Sequence, residues 1–189
     1  MKIRGHAALF DSLSENLGGF REKIQRGAFS ASLESQDIVF LSHHDSAQPM
    51  ARVSAGNLDI REDQTGLFFE SELPSTGGGK DLHRLIETRV LTSMSFGFNI
   101  ERPEDEVWEE GPDGLLIRTL RRIKLLEISV VLWPAYRMTS VTAGDTIRAA
   151  RRAASPKRAH AQPIGAARAQ RLREKLEASQ RSCIIYGLR

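Results

Sequence analysis

Apolar and polar residues alternate along most of the first 140 positions, which is the period of β-strands. The runs that predict strands are KIRGHAALF (2–10), DIVFLS (37–42), NLDIRED (57–63), GLFFESELP (66–74), VLTSMSFGF (90–98) and LLIRTLRRIKLLEISVVLWPAY (115–136). The runs at 57–63 and 66–74 flank a turn-like stretch and therefore predict a hairpin. The last run is long enough for one or two strands. We predict seven or eight strands in the whole domain.

One segment has helical spacing instead. In GGKDLHRLIETR (78–89), Leu82, Leu85 and Ile86 recur at helical intervals after a glycine-rich entry. The charged segment RPEDEVWEEGPDG (102–114) is predicted to be an excursion that ends in a turn. Many strands with one helix predict a mainly β protein of the α+β class, built on an antiparallel sheet or barrel with helical decoration.

The pattern changes after Val141. Residues 148–170 are rich in alanine and arginine and are interrupted by prolines, a composition typical of disordered linkers. Residues 168–182 could form a short basic amphipathic helix. We therefore predict a folded domain over residues 1–147 and a basic, disordered tail over residues 148–189.

The net charge of +3 is unevenly distributed between these two parts. Residues 148–189 hold 11 Lys and Arg against 2 acids, a net +9, whereas residues 1–147 hold 16 against 22, a net −6. A basic tail could bind nucleic-acid phosphates, so a non-enzymatic nucleic-acid-binding protein is one hypothesis. The tail has one aromatic residue, Tyr186, and no recognisable binding fold, so nucleic acid is not the favoured partner.

Several protein classes are excluded by composition. Cys183 is the only cysteine, so a disulfide framework and a cysteine-based zinc site are both excluded. No apolar run approaches the roughly 18 residues that span a bilayer, and the N-terminal apolar run is too short for a signal peptide. We expect a cytoplasmic protein without a membrane partner.

The strand VLTSMSFGF has two different faces. The face predicted to meet the core holds Met94, Phe96 and Phe98. The other face holds small and polar residues, namely Ser93, Ser95, Gly97 and Asn99. This second face either is wetted by solvent or leaves room for a ligand to lie against it.

Two further segments carry chemistry-bearing residues. The segment STGGGKD lacks the spacing of a phosphate-binding loop, and a mobile loop before a helix explains it better. The segment LSHHDSAQP (41–49) follows a strand and has three interpretations: a solvated polar turn, a metal site, or one functional histidine at a strand end. Neighbouring side chains on an extended chain point in opposite directions, so His43 and His44 would not both face one site.

Glu127 is a lone carboxylate in KLLEISVVLWPA. The alternation predicts one face with Leu126, Ile128 and Val130, and an opposite face with Glu127. Glu127 is either at the exposed side of the strand or held there for a purpose, since buried carboxylates are rarely unpaired. A serine, a histidine and a carboxylate are the parts of a nucleophilic hydrolase, but composition alone does not show that they meet.

Taken in order, these stretches resemble the prohead protease family of tailed phages, the capsid maturation peptidases that are similar to herpesvirus assemblin. The ordered set is GHAALF, IQRGAF, LSHHD, GLFFESELPSTGGGKDLHRLI, MSFGF and LLEISVVLWPAY, over roughly residues 3–143. The resemblance implies a serine endopeptidase on an assemblin-like antiparallel β-barrel surrounded by a few helices. It implies no cofactor and no metal.

The resemblance also implies roles for individual residues. The family's His–Asp pair matches His44 and Asp45, which makes His44 the implied general base. The family's Ser-Phe-Gly-Phe matches residues 95–98, which makes Ser95 the implied nucleophile. The acidic residue before the SVV strand matches Glu127, the implied third member of the triad, where the viral relatives use a second histidine.

The implied biology follows from the same resemblance. Such enzymes work in the host cytoplasm inside the assembling procapsid. They cleave a scaffold protein or the scaffolding segment of the major capsid protein, and they cleave themselves. These proteins are therefore the expected partners, and self-association into a homo-oligomer is a further expectation. The alternative is a non-enzymatic capsid-assembly or nucleic-acid-binding protein that acts through its basic tail.

Overall fold

The structure is a computed structural model that describes residues 1–144. Within these residues the chain forms eleven strands, two α-helices and a short 3₁₀ turn at Pro103–Asp105. The first strands are β1 (Lys2–Leu9), β2 (Phe20–Ile24), β3 (Val39–Ser42), β4 (Asp45–Arg52), β5 (Leu58–Glu62) and β6 (Gly66–Glu72). The later ones are β7 (Ser93–Asn99), β8 (Glu106–Glu110), β9 (Leu116–Leu120), β10 (Lys124–Val131) and β11 (Ser140–Ala143). The helices are α1 (Ser30–Ser35) and α2 (Gly77–Glu87).

The strands pair into three sheets, with the orders β11-β1-β6-β5, β4-β3-β10-β7 and β2-β9-β8. Most neighbours are antiparallel, but β3 runs parallel to β10 and β2 runs parallel to β9. The predicted mainly β, α+β class is confirmed. The hydrogen-bonded sheets formed by residues 1–144 are not closed into a barrel, so the assemblin-like barrel stays a prediction.

A single apolar core joins the first two sheets and the helices. Phe40 and Phe69 are fully buried and their ring centroids lie 5.7 Å apart. Burial of a side chain of this size contributes about 1.5–3 kcal/mol. Helix α2 adds Leu82 and Ile86 to the core, whereas Leu85, which the spacing placed with them, is exposed.

The hairpin and helix predicted between residues 57 and 89 are present as β5, β6 and α2. The helix begins after Thr76, whose side chain accepts a hydrogen bond from the Gly79 amide. A capping side chain of this kind satisfies one of the free amides at a helix N-terminus. The glycine-rich stretch is thus the first turn of α2, and the prediction of a mobile loop there is wrong.

Five strands and α-helices lie outside the predicted ones: β2, α1, β4, β8 and β11. The charged excursion at 102–114 contains β8, in which Trp108 is buried while its neighbours are less so. The predicted polar turn after residue 42 is mostly β4, an outer strand whose residues 46–49 are exposed. Pro49 suits such an outer strand because proline cannot donate to a neighbouring strand.

Two further predictions concern membrane spans and the basic tail. No helix among residues 1–144 is long and apolar enough to cross a bilayer. The basic tail at 148–189, with its predicted disorder and short helix, lies outside the described residues.

Candidate active site

The serine strand β7 has the two faces that its sequence predicts. Met94 is fully buried and Phe96 is nearly so, with the Phe96 ring 5.7 Å from that of Phe29 and 5.9 Å from that of Tyr136. Ser95 points to the opposite face and is half-buried. The aromatic contacts therefore anchor the strand from behind and leave the Ser95 face open to a ligand.

The outer edge of β7 is held by a side chain from a later loop. The Thr139 hydroxyl accepts a hydrogen bond from the Met94 amide at 3.0 Å and lies 2.7 Å from the Met94 carbonyl oxygen. Thr139 is buried, so this contact replaces a neighbouring strand at that position. The backbone next to Ser95 is thereby fixed on both sides, by β10 and by Thr139.

Strand β10 carries a bulge that changes which side chains face the core. The pairing with β7 shifts between Leu125 and Glu127. Leu125 is fully buried and Leu126 is 42% exposed, so the prediction that Leu126 shares the core face with Ile128 and Val130 is wrong. An extra residue in one strand reverses the alternation of faces on its far side.

The pairing between β7 and β10 gathers the polar residues on one face. Ser95 lies directly opposite Ser129, and Gly97 lies directly opposite Glu127. Directly opposed residues of antiparallel strands project to the same side of the sheet. The structure therefore brings Ser95 and Glu127 to a common face, with one residue pair between them.

His43 and His44 form the two-residue turn between β3 and β4, which Ser42 and Asp45 close as a pair. Their φ angles are 55° and 59°. Positive φ at both central positions is the feature of type I′ hairpin turns, which favour Asn and Gly. The predicted extended loop is thus a tight turn, and each histidine occupies a left-handed conformation that costs about 1–2 kcal/mol.

This turn delivers His44 to the polar face and sends His43 away from it. The His44 Nδ1 atom lies 2.7 Å from Glu127 Oε1, and the Glu127 side chain is only 13% exposed. His43 is exposed, and its Nδ1 contacts the neighbouring Ser42 hydroxyl at 3.0 Å. Of the two histidines, His44 is therefore the one that contacts a carboxylate on the Ser95 face.

The Ser95 hydroxyl and the His44 ring share this face without a direct bond. No hydrogen bond joins the two side chains in the part of the chain that the structure describes. Hydrogen bonds between a nucleophile and its base are often long until substrate is bound. The geometry thus aligns His44 with Glu127, and the Nε2 atom of His44 makes no hydrogen bond within the described residues.

Gly97 makes room for the Glu127 carboxylate. A Cβ atom at position 97 would lie 2.4 Å from Glu127 Oε1, closer than real Cβ contacts. The sequence suggested that Gly97 is small so that a ligand can approach Ser95. The structure gives a different reason, because the space above Gly97 is filled by the side chain that binds His44.

Asp45, the second residue of the His–Asp pair, makes hydrogen bonds with residues that follow it directly in the chain. Its carboxylate accepts hydrogen bonds from the Ala47 amide at 2.9 Å and the Gln48 side chain at 3.3 Å. Within residues 1–144 no group of three or more His, Cys, Asp or Glu side chains could hold a metal ion. The metal interpretation of LSHHDSAQP therefore has no ligand set in this region.

Ser129 is a site residue that the sequence reasoning did not identify. Ser129 is fully buried and its hydroxyl donates to Glu127 Oε2. Its Oγ atom also accepts a hydrogen bond from the His44 amide at 3.1 Å. Its signal in the sequence is a polar residue between Ile128 and Val130, two positions after Glu127 on the same face. The signal gains meaning only when the partner of the buried hydroxyl is known.

A second buried polar group lies behind the Phe96 side of β7. The Tyr136 hydroxyl donates to Glu22 Oε1 at 2.9 Å, and Arg118 Nε lies 3.5 Å from Glu22 Oε2. Burial raises the pKa of Glu22, and the Arg118 charge opposes that rise only in part. The Glu22 carboxylate also raises the pKa of Tyr136, in addition to the larger effect of burial. This cluster supports the loop that leads to Thr139 and does not reach the Ser95 face.

Comparison with known proteins gives one match. A family model described as caudovirus prohead serine protease matches residues 1–153. A search of curated proteins and a search of solved structures gave no significant match. The matched range contains Ser95, His44 and Glu127 and the four strands that carry or flank them.

Proposed function

Because the chain belongs to the prohead serine protease family of caudoviruses, we propose that Ser95 is its nucleophile, His44 its general base and Glu127 the residue that orients His44. Membership implies a role in capsid maturation within the assembling procapsid. The observation that carries the residue assignment is the 2.7 Å contact between His44 Nδ1 and Glu127 Oε1, on the face that also holds Ser95. A serine hydroxyl needs such an oriented base before it can attack a carbonyl.

The contact with Glu127 defines which nitrogen of His44 acts on the serine. With Nδ1 protonated and donating to the carboxylate, Nε2 carries the free lone pair. Ser95 Oγ would attack the substrate carbonyl carbon while Nε2 takes its proton. The proton then passes to the leaving amine as the C–N bond breaks.

The second half of the reaction returns the enzyme to its starting state. Water attacks the acyl ester on Ser95 and gives a proton to His44 Nε2. The ester bond breaks, the proton returns to Ser95 Oγ, and the new carboxylic acid leaves. Glu127 stays ionised throughout and stabilises the imidazolium that forms in each half.

Three serines lie on this face, and their positions favour Ser95 as the nucleophile. Ser129 is fully buried, so a substrate cannot reach it. Ser93 lies opposite Val131, two residue pairs further from Glu127 than Ser95 is. Ser95 is half-buried and its strand partner Ser129 contacts both His44 and Glu127.

The proposed substrates, location and barrel fold are inferred from the family to which the chain belongs. We propose that the substrates are a scaffold protein or the scaffolding segment of the major capsid protein, and the enzyme itself. The reaction then takes place in the host cytoplasm, within the procapsid. The three sheets are proposed to be the framework of an assemblin-like barrel.

The test combines cleavage of natural substrate proteins with labelling by a serine-reactive probe that requires no substrate. Purified chain is incubated with the capsid and scaffold proteins of the same phage, and the products are measured by mass spectrometry. A fluorescent fluorophosphonate, which forms a bond with an activated serine and releases fluoride, reports the nucleophile directly. Ser95→Ala should abolish both signals, because loss of a nucleophile lowers the rate by roughly 10⁴-fold or more.

Matched variants distinguish each proposed residue from a neighbour of the same type. Ser93→Ala and His43→Ala should keep most of the labelling rate, whereas His44→Ala should lose it. The reverse result for either pair would refute the assignment of that residue. Wild-type chain that neither cleaves nor labels would favour the alternative, a non-enzymatic assembly or nucleic-acid-binding protein that acts through its basic tail.

A further inference from the structure

Ser129 is a fully buried polar residue in the middle of β10, between two apolar neighbours. A buried hydroxyl without partners destabilises a protein by about 1–3 kcal/mol, so its contacts explain its presence. It has two partners, and both belong to the candidate active site. Its hydrogen goes to Glu127 Oε2 and its oxygen accepts the His44 amide at 3.1 Å.

We propose that Ser129 is a positioning residue that holds the Glu127 carboxylate and the His44 backbone in their working arrangement. The inference rests on the proposed function, since it assigns the support of that same site. Glu127 uses one oxygen for His44 Nδ1 and the other for Ser129, so both ends of the carboxylate are fixed. A carboxylate held at both oxygens cannot rotate away from the imidazole.

The second contact of Ser129 acts on the turn. His44 has a φ of 59°, a left-handed conformation that a histidine adopts only when its surroundings hold it there. The His44 amide donates to Ser129 Oγ, while the His43 amide donates to the Val130 carbonyl at 2.9 Å. One hydroxyl therefore fixes the main chain of His44 and, through Glu127, also its side chain.

Ser129 acts on the reaction only through these neighbours. It is fully buried, and its single hydrogen is already donated to Glu127. It lies directly opposite Ser95 in the strand pairing, so the support and the proposed nucleophile are joined by one residue pair of the sheet. Its loss is expected to leave the substrate face unchanged and to misalign His44.

The test measures the second-order rate of labelling by a fluorophosphonate in the wild type and in Ser129→Ala. We expect a rate about 10- to 100-fold slower, by analogy with the loss of the outer hydrogen-bond partner of a metal-binding histidine. Ser71→Ala is the matched control, because Ser71 is also buried in a strand but lies in a different sheet from Ser129. Its hydroxyl donates to the Asn57 carbonyl, away from the candidate site. That control should label at the wild-type rate, and thermal unfolding verifies that both variants are folded.

Two measurements separate positioning from general stability. In a double-mutant cycle with Glu127→Gln, adding Ser129→Ala should lower the rate by much less than it does alone, because both act on the same contact. The His44 Nδ1 proton, observed as a downfield NMR resonance when it is bonded to a carboxylate, should weaken or shift in Ser129→Ala. Independent, multiplicative losses would overturn the proposal.

A second pair of variants applies if Ser129→Ala does not fold. Thr and Val have nearly the same shape, so Ser129→Thr and Ser129→Val differ in the hydroxyl alone, and the Thr variant should label at least 10-fold faster. Equal rates for this pair, or a wild-type rate for folded Ser129→Ala, would overturn the positioning role while leaving the proposed function intact. If the wild-type protein itself is not labelled, the proposed function is overturned instead.

Discussion

Gly97→Ala tests the site by adding a single methyl group. The new Cβ would lie 2.4 Å from Glu127 Oε1, 3.1 Å from its Cγ and 3.2 Å from its Cδ. Ordinary contact of this kind begins at about 3.4–3.5 Å, so the carboxylate oxygen must retreat by about 1 Å. The oxygen that must move is the one that lies 2.7 Å from His44 Nδ1.

The size of that displacement decides the expected result. Hydrogen bonds between N–H and O seldom exceed about 3.2 Å, so a shift of about 1 Å breaks the contact with His44. A misplacement of this size in a catalytic arrangement lowers the rate by about 10²-fold, or about 2.7 kcal/mol of barrier. Stability should fall by only about 1 kcal/mol, because the displaced oxygen loses one hydrogen bond and alanine is not worse than glycine in a strand.

The measurement compares fluorophosphonate labelling and thermal unfolding in the wild type, Gly97→Ala and Gly78→Ala. Gly78 is the control, since a Cβ there would meet only Met50 Cε at 3.8 Å, an ordinary contact. The expected pattern is slow labelling with nearly unchanged unfolding for Gly97→Ala alone. Wild-type labelling by a folded Gly97→Ala would refute the link between this glycine and the carboxylate. A large loss of stability would show instead that the strand moves in place of the side chain.

Two further predictions concern stability. The raised pKa of Glu22 means that its contribution to stability is full below its ordinary value of 4.5 and is lost as pH rises through the folded value. Glu22→Gln should therefore flatten the fall in unfolding temperature as pH rises above about 4.5, and parallel curves for the two proteins would contradict this. A chain ending at residue 147 should unfold at the wild-type temperature and label normally, whereas a chain ending at residue 137 should be less stable because it lacks β11, which pairs with β1. Aggregation of the longer of these two chains would place the end of the domain beyond residue 147.

The parts of the fold that the sequence predicted are those in which one strand face is buried. The alternation of Met94 and Phe96 with Ser95 is visible in the letters because each side chain meets a different environment. Strand β4 has no such alternation, since residues 46–49 are all exposed on an outer strand. Its position depends on pairing with β3, which no local pattern encodes.

The sequence indicated the residue types of the candidate site and only part of the geometry that the structure gives them. The resemblance pointed to Ser95, His44 and Glu127, and their roles stay a proposal. The bulge at Leu126 was not predictable, because a period-two pattern assumes that no residue is inserted. The turn conformation of His43 and His44 was also hidden, since neither residue type is typical of a two-residue hairpin turn.

The parallel pairing of β3 with β10 has a consequence for timing. It joins Val39 to Glu127, and Glu127 follows His44 by 83 positions in the chain. At synthesis rates of about 5–20 residues per second, roughly 4–17 s separate the appearance of these two residues on a ribosome. Contacts between distant parts of a chain are also the slowest to form. A growing chain therefore carries no assembled site until β10 has been made and has paired on both sides, so the ability to cut arrives with the completed sheet and not before it.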